Sequence, residues 1–218
     1  MNVSRTRLIL VVLVACALAV VATLFVTRGS APPGDDSPEA GFARDMAVHH
    51  AQAAEMGFAV RDASGDAAVR NLAYDIITTQ TAQRGVFMGW LQQWDLTQAG
   101  SRPPMAWMAG HGGHAAAPTA SAQPGGGVTL MPGMATDAEM DRLKAAKGKD
   151  GEILFLQLMI RHHQGGVDMA KGLLKLSDRP EVRTMAQHIV DTQDSEIQLM
   201  TEMLTARGAK PYPPLSTG

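Results

Sequence analysis

The chain is written twice. An offset of 113 residues carries Phe42 onto Phe155, Met46 onto Met159, His49 and His50 onto His162 and His163, and Met56 onto Met169. The register then holds without a gap through Val69-Arg70 and Val182-Arg183, Ala73 and Ala186, Ile76 and Ile189, Thr79-Gln80 and Thr192-Gln193, Gln83 and Glu196, and Leu91 and Leu204. Two copies of one supersecondary element must therefore bury the same apolar stripe.

The stripe is helical. Phe42, Met46, His49, His50, Ala53, Met56 and Val60 recur at steps of three and four and share one helix face, as do Val69, Ala73, Ile76, Gln80, Gln83, Phe87 and Leu91 further on. Between them Gly65 stops one helix and Asp66 can cap the next. In the second copy Asp178 is the expected cap, and Pro180 suits a first helical turn. One hairpin cannot cover its own stripe, whereas two can close over each other, so an all-α four-helix bundle is expected. The expected layout is an N-terminal segment over 1–29, a linker over 30–40, hairpins over 41–94 and 150–208, and a crossover over 95–149. Residues 41–208 would form one domain.

The crossover is rich in Gly, Pro and Ala, shows no sustained period, and reads as a flexible loop. Met105, Met108, His111 and His114 follow one another at steps of three, and Met131 and Met134 repeat the step. These ligand types suit copper, and a loop this long is uncommon unless functional or disordered. TDAEMDRLKAAKG then reads as a short capped helix.

Counting outward from turns near 65 and 178 sets His50 beside Gln80 and His163 near Gln193, with Gln83 and Glu196 one turn further on, near Met46 and Met159. A polar layer inside the bundle follows, with His49, His50, His162 and His163 facing Gln80, Gln83, Gln193 and Glu196, and with Met46, Met56, Met159 and Met169 above and below. Its groups have to bond to one another or hold a metal, because isolated buried polar groups are costly. Neighbouring histidines differ by ~100° around a helix. One of each pair can bind while the other meets a carbonyl or Glu196. The layer could instead serve only to fix helix register, with Met as filler.

At the N-terminus, Leu8 to Val26 carries no charge and follows Arg5 and Arg7. Its length suits a membrane span with the bundle outside the cytoplasm. Cleavage near Ala17-Leu18-Ala19 and lipidation at Cys16, the sole cysteine, are the alternatives. The remainder has no cysteine, so disulfides and thiolate metal sites are excluded there. A net charge of −2 offers no footprint for nucleic acid. No Glu-x-x-His occurs, which disfavours a di-iron centre, and no CxxCH provides for attached haem. No nucleophile–base pair or phosphate loop points to an enzyme.

The motifs Met46-Ala-Val-His49-His50-Ala-Gln52 and Met159-Ile-Arg-His162-His163-Gln164-Gly165, with GMATDAEMDRLKAAKGKDGEILFLQLMIRHHQGGVDMA and DTQDSEIQLM, resemble the family called domain of unknown function 305 over roughly residues 40 to 207. The resemblance implies a ferritin-like four-helix fold, an exported or membrane-anchored location and, for some members, copper binding through Met and His. The chain departs from the family pattern at Leu158, Gly166 and Gly172. These leave the candidate ligands intact, and the glycines are expected to loosen their helix. The reading is thus an exported, membrane-tethered protein that sequesters or delivers copper, Cu(I) or Cu(II), with a second copy or another copper-handling protein as possible partner. The competing reading is a non-catalytic scaffold or sensor module with a structural histidine layer.

Overall fold

The computed structural model describes residues 2–27, 31–109 and 130–213. Residues up to Pro33 form one compact unit, and Gly34 onward forms another. The first unit contains α1 (Asn2–Thr27). Among the described residues no helix is long and apolar enough to cross a membrane. The expectation of a span over Leu8–Val26 is therefore not supported by the described residues.

The second unit is all-helical among its described residues, with α2 (Pro38–Ala63), α3 (Ala67–Gln93), a 3-10 turn (Ala106–Met108), α4 (Asp137–Ala145), α5 (Gly148–Leu176) and α6 (Pro180–Ala206). The starts of α2, α3, α4 and α6 have local causes. Ser37 caps α2 by accepting from the Ala40 N–H, with Pro38 in the first turn. Asp66 caps α3, accepting from Ala68 and Val69. Thr136 and Glu139 close a reciprocal capping box on α4. The expected cap at Asp178 is not used: Arg179 stands at the cap position of α6, its side chain makes no capping bond, and Pro180 opens the helix.

α2 pairs with α3, α5 with α6, and the two hairpins meet where α2 packs on α5. Met46 and Met169 share one apolar cluster, while Met56 and Met159 share the other. The start of α2 thus lies beside the end of α5. The helices are antiparallel, and the sequence repeat becomes an approximate two-fold axis between them.

Two matching latches tie the hairpins together. Ser64, at the first turn, donates to Glu152 Oε1 at 2.6 Å, and Ser177, at the second, donates to Glu39 Oε1 at 2.6 Å. Arg70 and Arg183 likewise bond the last carbonyls of the helix before each turn, Arg70 through Arg61 and Ser64 and Arg183 through Leu174 and Ser177. Both sets repeat at the 113-residue offset.

The described ends of the crossover lie against the bundle. At its start, Asp45 Oδ2 accepts from the Met105 N–H and the Trp107 indole N–H, both at 2.8 Å. Trp107 fits because Gly41 has no Cβ; one there would stand 2.5 Å from Trp107 Cδ1. At its end, residues 131–135 run as a strap across α2 and α5. Gln52 grips the strap in two directions, donating to Ala135 O at 2.9 Å and accepting from Ala135 N–H at 2.7 Å. Arg161 forks onto Glu139 and also reaches Met134 O.

α5 is continuous through its glycines, which corrects the expectation that they loosen it. A Cβ at Gly165 would collide with the Pro132 carbonyl, one at Gly166 would stand 2.5 Å from Gln193 Oε1, and one at Gly172 would stand 2.5 Å from Met108 Cε. These glycines are spaces occupied by neighbours.

Candidate metal centre

The four histidines are fully buried at the middle of the α2–α5 seam, between the two apolar clusters. The adjacent members of each pair point different ways, as the ~100° step requires. His49 and His162 face each other across the axis with ring centroids 3.7 Å apart and planes at 34°. His49 Nε2–H donates to the strap carbonyl of Pro132 at 3.1 Å. His50 and His163 turn into their own hairpins: His50 Nε2–H donates to Gln83 Oε1, and His163 Nε2–H donates to Glu196 Oε2, each at 2.7 Å.

The partners are Gln83 and Glu196 rather than the expected Gln80 and Gln193, one helical turn off. The cause is the lean of helical side chains toward the N-terminus. A histidine on α2 leans away from the turn, whereas a side chain on α3 leans back toward it. Groups that meet therefore start from Cα positions set further along α3 than an equal count predicts. Gln80 and Gln193 are buried, and neither carboxamide has a hydrogen-bond partner.

In all three histidine bonds the partner is an oxygen that carries no hydrogen, so the imidazole must donate through Nε2. The Nδ1 atoms of His49, His50 and His163 are buried without partners. At His162 neither ring nitrogen has one, although the nearby His49 backbone favours its charged form. Burial pushes the imidazole of His49 down to about 4, against a raising effect of the Pro132 carbonyl. Burial and the neighbouring His49 push His50 down to about 3. Burial, with the histidines around it, holds His162 well below the usual range. These three rings are neutral at pH 7, the form that ligates metals.

Met46, Met56, Met159 and Met169 are fully buried, the first and last on one side of the layer and the middle two on the other. Met131 is buried, and Met105, Met108 and Met134 pack partly buried against the cluster of Met46 and Met169. His111 and His114 lie outside the described residues. Among those described, no three His, Cys, Asp or Glu side chains are grouped so that they could hold a metal ion by themselves. Any cation held here needs the thioethers, the carboxamides or a shift of the rings.

Sequence reasoning missed two contributors. Pro132 acts through its backbone, which no residue pattern advertises. Gln52 was legible as part of the motif, but its counterpart is Gly165, so its grip on Ala135 occurs in only one copy.

Fold and layer together define a duplicated helical-hairpin bundle with a buried histidine–methionine centre. The chain belongs to the family described as Domain of unknown function (DUF305), whose model matches residues 39–204. The crystal structure of a candidate secreted DUF305 protein from Streptomyces coelicolor is 46% identical, with a TM-score of 0.72 over 83% of this chain and 99% of that one. A DUF305 fragment from Deinococcus radiodurans is 33% identical, with a TM-score of 0.61 over 78% and 96%. CopM in its Cu(II)-bound form is 26% identical, with a TM-score of 0.56 over 78% and 97%. No curated protein matches the sequence.

Proposed function

We propose that this is an extracytoplasmic copper-binding protein that sequesters the ion or passes it on. The buried ring nitrogens without partners carry the reading. The Nδ1 atoms of His49, His50 and His163 and one ring nitrogen of neutral His162 are acceptors taken from water with nothing returned, each at a cost of ~1–3 kcal/mol, and a soft or borderline cation would offset that cost. Met46, Met56, Met159 and Met169 flank the rings as thioether donors suited to Cu(I), while imidazole suits either oxidation state. Met105, Met108, His111, His114, Met131 and Met134 of the crossover would act as a capture arm. The likeness to CopM, crystallised with Cu(II), supports the choice of metal. The likeness to a candidate secreted protein and the uncharged run after Arg5 and Arg7 support export, with that run as a tether.

The test is a titration of the full chain with Cu(I) and Cu(II) under a competing chelator. Stoichiometric binding that His50→Ala and His163→Ala abolish is the expected result. Chelator-weak binding in the unaltered chain would sink the proposal.

The second reading treats the layer as architecture alone. It is favoured by the absence, among the described residues, of three grouped His, Cys, Asp or Glu ligands. It requires those alanine variants to lose stability while metal uptake stays unchanged.

A further inference from the structure

The two halves of the layer differ at one position. His50 donates to the neutral carboxamide of Gln83, and His163 donates at the same 2.7 Å to the carboxylate of Glu196. The surroundings differ in the same sense. The His50 ring meets the edge of Phe87, centroids 5.5 Å apart, and Gln83 is 6% exposed. The Glu196 side chain is 16% exposed beside a fully buried His163, and it lines a shallow surface depression with Asp191, Thr192, Ser195 and Leu199. Glu196 is thus where His163 comes closest to solvent, on an acidic stretch of α6 that attracts cations.

We propose that Glu196 makes the second half of the layer the Cu(II)-selecting half: it is a positioning residue that fixes His163 through Nε2, so that Nδ1 takes the ion. This rests on the copper reading above. A carboxylate accepting from the outer ring nitrogen of a ligating histidine sets the ring's orientation and raises the basicity of the other nitrogen. The buried, unpartnered Nδ1 of His163 is the atom left to use that basicity. The added negative charge favours the divalent ion over the monovalent one. Gln83 orients His50 in the same way but adds no charge, so the first half discriminates less between the two ions.

The test compares the full chain with Glu196→Gln and Gln83→Glu, titrated separately with Cu(II) and Cu(I) under a competing chelator. Electron paramagnetic resonance of the Cu(II) protein, with nitrogen-15 placed at histidine Nδ1 or at Nε2, and nitrogen NMR of the diamagnetic Cu(I) protein report which ring nitrogen ligates. Glu196→Gln rebuilds in the second copy an arrangement that the first copy already tolerates, so the fold is expected to hold. The expected result is a loss of Cu(II) affinity of about 10–100-fold, a much smaller change for Cu(I), and Nδ1 as the ligating nitrogen of His163. Gln83→Glu is expected to tighten a further equivalent of Cu(II). Unchanged Cu(II) affinity in Glu196→Gln, or ligation of His163 through Nε2, overturns this inference and leaves copper binding intact. Cu(II) binding that His163→Ala does not disturb removes the layer as the site, and this inference with it.

Discussion

His49 and His162 stand ring against ring, centroids 3.7 Å apart, where the approximate two-fold axis passes between α2 and α5. Residues one sequence repeat apart are thus in direct contact, and every other member of the layer is arranged around that pair. His50 and His163 diverge from it into opposite hairpins, and the strap carbonyl of Pro132 breaks the symmetry by bonding His49 alone.

This burial predicts a pH dependence. His49 and His50 take up protons at about 4 and about 3 in the folded chain, against ~6.5 when unfolded. Above ~6.5 both states hold the rings neutral and stability is at its plateau. As pH falls below ~6.5 the unfolded chain binds the protons first, so stability drops by up to about 1.4 kcal/mol per pH unit for each histidine until the folded values are passed. Asp45, raised by its own burial, works in the opposite direction near its titration, because there the folded state binds its proton first. The expected net result is a fall in denaturation midpoint between pH 6.5 and 4. A midpoint that stays level across this window would contradict the buried, neutral assignment.

The latches predict a stability pattern with a particular arithmetic. Ser64→Ala and Ser177→Ala each remove a bond to a carboxylate at 2.6 Å, worth about 1.5–3 kcal/mol. Glu152 keeps Arg207 at 3.0 Å, which softens the first loss. The latches lie at opposite ends of the bundle, so the double variant is expected to lose the sum of the two to within about 0.5 kcal/mol. Urea denaturation of the three variants measures this, and strong non-additivity would mean that the ends do not act independently.

How much of this could be read in advance follows from which forces write themselves into sequence. The hairpins were legible because apolar periodicity and the 113-residue offset are properties of side-chain identity. The burial of the histidines followed from the apolar face they share, and the divergence within each pair from the angular step of a helix. The choice of Gln83 over Gln80 was not legible by counting, since it depends on side-chain lean. The Ser64–Glu152 and Ser177–Glu39 pairs do repeat at the same offset, but they join different hairpins, and only packing reveals such a pairing. The strap was hidden in a stretch without periodicity, because its grip is made by backbone groups of Pro132 and Ala135. The apolar N-terminal run was read as a span, and the described part of α1 does not sustain that reading.

Asp45 offers a probe of the crossover's first anchor. Asp45→Ala leaves two donors, the Met105 N–H and the Trp107 indole, without their acceptor. With ~1–3 kcal/mol for each buried unsatisfied group, a loss of about 2–4 kcal/mol is expected. Trp107, 5% exposed, should also shift its emission to the red as the turn lifts from Gly41. A variant that keeps both the wild-type emission and stability would show that Asp45 does not hold the turn.

Glycine substitutions should change sign with location. Gly85 and Gly89 lie in α3 with nothing within 4 Å of an added Cβ, so Gly→Ala there is expected to stabilise by about 0.5–1 kcal/mol through helix propensity. Gly165 lies in α5 at a position where the same propensity gain is available, but the added methyl would occupy the place of the Pro132 carbonyl. Either the strap lifts, losing the His49 bond and the two Gln52 bonds to Ala135, or α5 shifts against it. Both cost more than propensity returns, and a net loss of about 1–3 kcal/mol is expected. Faster hydrogen exchange at the Ala135 N–H would identify strap lifting as the route. Gly165→Ala that stabilises as Gly89→Ala does, with Ala135 still protected, would show that the strap does not bear on α5 in solution.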